Sequence, residues 1–143
     1  MKKTLIIILL IFFLIAVSTY LFLINVNNIQ KNLKKDSEQY GLYLNQNIYG
    51  TELATLINKA IDQNEKNKIA KDEKNYYIVN DVNSIKIEVK MNTTDKTYAM
   101  EEIYNNNITE FVKYFNLAEF KCTVIEYHMK TGKLSKMIFE EVK

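Results

Sequence analysis

The chain has 143 residues, 48% of them apolar and 25% charged, which is room for one ordinary globular domain plus a short appendage and excludes a large multidomain enzyme. All 19 basic residues are Lys, so bidentate recognition of carboxylate, phosphate or guanine by a guanidinium fork has no donor here. The net charge of +2 hides an arrangement: from Asp36 onward fourteen Lys face seventeen acidic residues, and a mildly acidic body without a basic stripe excludes nucleic acid as a partner.

Leu5 to Ile24 carries no charge, and 16 of its 20 residues are Leu, Ile, Phe or Val. At about 1.5 Å per residue such a helix spans about 30 Å, the thickness of a bilayer's hydrocarbon core. Lys2 and Lys3 precede it, and Lys31, Lys34 and Lys35 follow it. The expectation is a transmembrane anchor over residues 1–24 with the lipid bilayer as its partner. A cleaved leader is the rival reading, with Ala16-Val17-Ser18 as a small-x-small site. Against it, the chain returns at once to Tyr20-Leu21-Phe22-Leu23-Ile24. A very short positive head left in the cytoplasm places the remainder outside the cell membrane. The abundance of Asn, Ile and Lys fits a low-GC bacterial genome.

Residues 25–50 read as a stalk. Val26, Ile29 and Leu33 keep the spacing of one helical face, and Gly41 and Gly50 flank a stretch that reads as a break or kink. Residues 51–143 read as an α+β domain outside the membrane. Thr51 precedes Leu53, Leu56, Ile57, Ala60 and Ile61, the stripe of an amphipathic helix capped by Thr51, and the polar run Asp62 to Lys68 reads as the solvated loop that ends it.

The period then changes to two. Ser84 to Met91 alternates without error, with Ile85, Ile87, Val89 and Met91 on one face. Tyr76 to Val79 before it and Thr97 to Met100 after it complete an expected antiparallel meander. Ile108, Phe111, Val112 and Phe115 predict a second, short helix that Asn116 ends, and Phe120–Met129 and Leu134–Val142 predict a hairpin around Lys130-Thr131-Gly132-Lys133. The expected fold is thus α+β: a transmembrane helix with an amphipathic extension, then a small antiparallel sheet of about five strands packed with one or two helices.

Chemistry is sparse. Cys122 and His128 invite a nucleophile and base reading, yet six residues apart on one strand they stand roughly 20 Å apart. Cys122 reads instead as a small buried residue beside Phe120 and Val124. The acidic pairs Asp72-Glu73, Glu101-Glu102 and Glu140-Glu141 alternate in direction and read as solvated surface. The sequence holds no EF-hand spacing, Gly-rich phosphate loop or paired-cysteine zinc motif. No catalytic, cofactor-binding or metal-binding residue is assigned, and no cofactor is expected. Asn92-Thr93-Thr94 and Asn107-Ile108-Thr109 fit the glycosylation sequon, which matters only in a host that modifies exported asparagines. Of ten tyrosines, Tyr98, Tyr104, Tyr114 and Tyr127 fall where strand or helix faces meet a core.

A Lys-Lys leader, an apolar helix that runs into an amphipathic stalk, and a small sheet after it together resemble the type IV pilin and pseudopilin family. The resemblance implies a helix that anchors subunits in the membrane and then packs helix on helix in an assembly. The functional expectation is a non-enzymatic, single-pass envelope protein whose exported domain assembles with itself or other membrane or envelope proteins. The alternative is an anchored accessory domain that binds a ligand or envelope polymer.

Overall fold

A computed structural model describes residues 2–142. Helix α1 (Lys2–Tyr40) is continuous, so the apolar run and the stalk are one rod of 39 residues, about 58 Å at about 1.5 Å per residue. A 3-10 turn at Gly41–Tyr43 ends it. Strand β1 (Asn47–Tyr49) follows, in the stretch read as a break, and leads directly into α2 (Gly50–Lys66). Then come β2 (Lys86–Met91), β3 (Lys96–Ala99), α3 (Met100–Asn105), α4 (Ile108–Phe115), β4 (Glu119–Tyr127) and β5 (Leu134–Glu141).

The five strands form one mixed sheet in the order β1-β4-β5-β2-β3. Both hairpins are antiparallel as expected, but β5 lies parallel to β2, with Ile87 opposite Met137 and Val89 opposite Phe139. The chain reaches β5 from β3 through α3, α4 and β4, and that passage brings the second hairpin alongside the first with its second strand innermost.

One face of the sheet is dry. Ile87, Val89 and Met91 of β2, Phe120 and Cys122 of β4, and Met137 and Phe139 of β5 are buried there under Leu53, Leu56, Ile57, Ala60 and Ile61 of α2. A bulge at Thr123 shifts the β4 register between Cys122 and Val124, so that Ile125 and Tyr127 continue the inward face. The other face carries charges in balance. Lys86 and Lys136 each reach Glu88 at 2.9 Å, and Lys90 reaches Glu140 at 3.6 Å. Burial opposes ionisation of Glu88, but Lys136 and Lys86 outweigh it and hold its carboxyl below the usual range.

Four local expectations are corrected. Tyr76–Val79 is not a strand: Tyr77 makes one isolated bridge to Lys71, and its side chain is buried with the hydroxyl on Glu65 at 2.6 Å. Burial and that hydrogen bond push the Tyr77 phenol up to about 12. Helix α2 starts one residue before Thr51, so Tyr49 rather than Thr51 stands at its N-cap. At its other end α2 runs through Lys66, and Asn64, placed in a loop by its polar neighbours, is fully buried. Met100 begins α3 instead of ending β3, because its side chain turns into the core.

Candidate functional site

The most extensive exposed feature is the apolar half of α1. Every Leu, Ile, Phe, Val and Tyr from Leu5 to Ile24 is between 38% and 67% exposed, on all sides of the helix. A soluble amphipathic helix hides one stripe, and a helix apolar all round needs a non-aqueous neighbour. Ser18 and Thr19 do not spoil this surface, since both hydroxyls donate to the Ile15 carbonyl, at 2.9 and 2.6 Å. The helix is long and apolar enough to span a membrane.

The stalk half of α1 is joined to the domain. Val26, Ile29, Asn32, Asp36 and Tyr40 form its half-buried stripe, spaced by three and four residues. Asn32 Nδ2 donates to the Thr131 carbonyl at 2.9 Å, and the Leu134 N–H donates to Asp36 Oδ2 at 2.6 Å. Gly132, with φ of +69°, sits so close that a Cβ there would overlap the Ile29 carbonyl oxygen and come within 2.9 Å of the Leu33 nitrogen. The turn glycine thus has two roles: it makes the hairpin tip possible and lets that tip lie against the helix backbone. The expected stripe of Val26, Ile29 and Leu33 is replaced beyond Ile29 by a polar seam, whose residues line a cleft with Gln63, Asn67, Asn83 and Lys133.

A second feature is an apolar groove of about 250 Å³ bounded by α3, α4 and the β2–β3 hairpin. Tyr98, Ile103, Phe111 and Phe115 form its walls, Tyr114 its exposed lip, and Glu102 and Glu110 the charged groups on its rim. Phe111, Phe115 and Phe120 stack beneath it with ring centroids 5.2 to 6.4 Å apart. Of the four tyrosines expected against the core, Tyr98 and Tyr127 pack on it, whereas Tyr104 and Tyr114 are exposed.

Cys122 and His128 are both buried and have separate tasks. Cys122 is fully enclosed and lies opposite Phe139, and burial pushes its thiol up to about 11. His128 Nε2 donates to the Ser84 carbonyl at 2.7 Å, which places the ring proton on Nε2 and ties the 80–84 turn to the hairpin. The folded chain is therefore expected to take up a maleimide at neutral pH orders of magnitude more slowly than the denatured chain, read by intact mass. Stoichiometric labelling of the native chain at the denatured rate would refute the inert-thiol assignment.

Of the acidic pairs, Asp72 and Glu73 are exposed as expected and Glu102 and Glu140 half-buried, whereas Glu101 and Glu141 are buried. Asp72 Oδ1 accepts the Lys74 and Tyr76 N–H groups, each at 2.9 Å, Glu101 is buried and accepts the Tyr77 N–H at 3.2 Å, and Glu102 accepts the Tyr76 hydroxyl at 2.8 Å. Glu141 is buried and accepts the N–H and hydroxyl of Thr93, each at 3.0 Å. These carboxylates fasten turns whose donors would otherwise go unmet. The sequon asparagines are occupied in the same way: Asn92 donates to the Glu141 carbonyl, and Asn107 accepts from Thr109 as the N-cap of α4. Among the described residues no three His, Cys, Asp or Glu side chains come together as a metal site.

Sequence reading located the apolar helix and named Met91, Tyr98, Phe111 and Phe115 as apolar-face residues, but not Ile103 or the groove they line, which depends on how two short helices meet a hairpin. The joint between stalk and hairpin tip gave no signal beyond a turn glycine. No family model matches this chain, and no curated protein or solved structure matches it.

Proposed function

We propose that this chain is a bacterial single-pass membrane protein, anchored by Leu5 to Ile24, whose domain outside the membrane assembles with other envelope proteins and performs no catalysis of its own. The observation that carries the reading is the exposure of the apolar run on every side, continuous in one helix with a stalk fastened to the domain. The groove supports a protein partner over a free ligand. At about 250 Å³ it falls below the roughly 300 to 1,000 Å³ of ordinary small-molecule sites. Its aromatic walls suit one or two side chains of a partner.

The sharper version is a pilin-like subunit, supported by the order of long apolar helix and small sheet. Pilins of the main class carry a glycine before the processing point and a glutamate early in the mature helix, whereas Leu5 to Ile24 holds neither residue. Assembly along this helix would therefore rest on apolar packing, and the anchored binding protein is the leading form of the proposal.

The test is expression of the full chain in a bacterium, followed by alkaline carbonate extraction, protease treatment of spheroplasts and intact mass. The reading requires a full-length chain that stays in the membrane pellet while its domain is digested from outside. A chain that begins at Thr19 and is found in the medium would overturn it.

A further inference from the structure

We propose that the tip of the β4–β5 hairpin and the adjoining Ile78–Val82 loop form a second membrane contact, in which Met129, Val79 and Val82 enter the headgroup layer while Lys130 and Lys133 meet anionic headgroups. This rests on the anchored reading above and names the lipid surface as a partner of the domain itself.

Depth along α1 is the first support. Ile24 ends the apolar run, and Ile29, against which Gly132 lies, is five residues farther, about 7.5 Å at about 1.5 Å per residue. A bilayer of about 40 to 45 Å with a hydrocarbon core of about 30 Å leaves about 5 to 8 Å of headgroup region on each side. The turn meets α1 between Ile29 and Leu33, about 7.5 to 13.5 Å beyond Ile24, so it stands at the outer edge of the headgroup region whenever Leu5 to Ile24 fills the core. The contacts also fix which end of the sheet points down. Gly132 meets Ile29, Thr131 meets Asn32, Leu134 meets Asp36, and Tyr40 shares a hollow with Leu134 and Met137. β5 thus climbs away from the membrane and its preceding turn is the lowest part.

Composition of the tip is the second support. Met129 is 95% exposed, and Val79, Ile78 and Val82 are 62%, 52% and 44% exposed. Met129, Val79 and Val82 form one patch: Val79 and Met129 line the same hollow, Lys130 pairs with Asp81 at 2.6 Å, and the Thr131 hydroxyl donates to the Val82 carbonyl at 2.6 Å. An apolar patch that costs free energy in water lies where a bilayer can cover it. Lys31, Lys34 and Lys35 of the stalk are only three charges, but the fold adds Lys130 and Lys133 from a hundred residues later. Asp81 pairs with Lys130 at 2.6 Å and Glu38 lies 4.0 Å from Lys34, so among the described residues Lys31, Lys35 and Lys133 carry the charge left for anionic headgroups.

The chain has no Trp, so single tryptophans report depth without background. Full-length Met129→Trp, Leu117→Trp and Phe22→Trp proteins are reconstituted in vesicles of phosphatidylglycerol and phosphatidylcholine brominated near the headgroup or deep in the chain. Leu117 is also open, at 78% exposure, but lies beyond the far end of β4, about 30 Å from the tip at about 3.3 Å per residue. The expected result is that M129W is quenched by shallow bromines several-fold more than L117W and is shielded from acrylamide. Replacing both Lys130 and Lys133 by Gln should remove at least half of that quenching. With F22W deeply quenched, an M129W signal equal to L117W, or one unchanged by the double lysine substitution, overturns the second contact and leaves the anchor standing. An unquenched F22W overturns the anchor and the contact together.

Discussion

Gly50→Ala is expected to cost about 3 kcal/mol of stability, the upper end of ordinary overpacking, and to shift α4 from its seat. A Cβ at Gly50 would overlap the Phe115 carbonyl oxygen and lie 2.8 Å from the carbonyl carbon, both of them backbone atoms at the end of α4. No rotamer change relieves such an overlap. The Gly50 N–H donates to the Ala118 carbonyl at 2.9 Å, and β1 immediately precedes it in register with β4. The helix start is therefore clamped on two sides and cannot retreat. Gly41→Ala is the informative contrast, since its Cβ would meet only the Tyr127 hydroxyl at 4.0 Å. Removing a glycine from a helical turn without a clash gains up to about 1 kcal/mol. Chemical denaturation of the full chain in detergent should separate the two variants in sign. A Gly50→Ala protein as stable as the parent would show that the close approach of α2 and α4 is not required.

These two glycines also mark where the sequence was legible. Both bracket a short Tyr-Leu-Asn stretch, and periodicity treats them alike as breakers. Their difference lies in a partner sixty-five residues away, which no local pattern contains. The alternation of Ile85, Ile87, Val89 and Met91 was readable because a sheet with one wet face imposes a period of two, and all four are buried. β1 was not, because three residues are too few to show a period. Tyr76 to Val79 has strand composition, yet Tyr77 spends it on Glu65 and the core while its neighbours stay in a loop. The parallel meeting of β2 and β5 is a long-range choice, and only the two hairpins are written locally. For the candidate site, the apolar run was plain because it is contiguous. The stalk joint, the groove and the lysine cluster were hidden because each joins residues from distant parts of the chain.

Asn64 is the most demanding case, because its polar neighbours Asp62, Gln63, Glu65 and Lys66 disguise a core residue. It is fully buried, its Nδ2 donates to the Ile85 carbonyl at 2.8 Å, and its Oδ1 accepts the Ile85 N–H at 2.8 Å. The side chain stands in for a missing neighbour strand just before β2 begins. Asn64→Leu keeps the volume but orphans one donor and one acceptor, at about 1 to 3 kcal/mol each, so a loss of about 3 to 4 kcal/mol is expected. Asn64→Asp tests the hydrogen-bond pattern by itself. Its carboxylate still accepts from the Ile85 N–H but meets the Ile85 carbonyl with another acceptor, and burial adds to the penalty on the charged form. The folded carboxyl is thus raised above its ordinary value of about 3.9. A raised folded value means that the folded chain holds more protons than the unfolded one. Stability is then fully present below about pH 4 and lost as pH rises through the folded value. Relative to the parent chain, which shares every other acid, Asn64→Asp should therefore be near parity at acid pH and fall well behind at neutral pH. A deficit that does not change with pH would mean that the amide fills space at this position and does not bridge the two groups of Ile85.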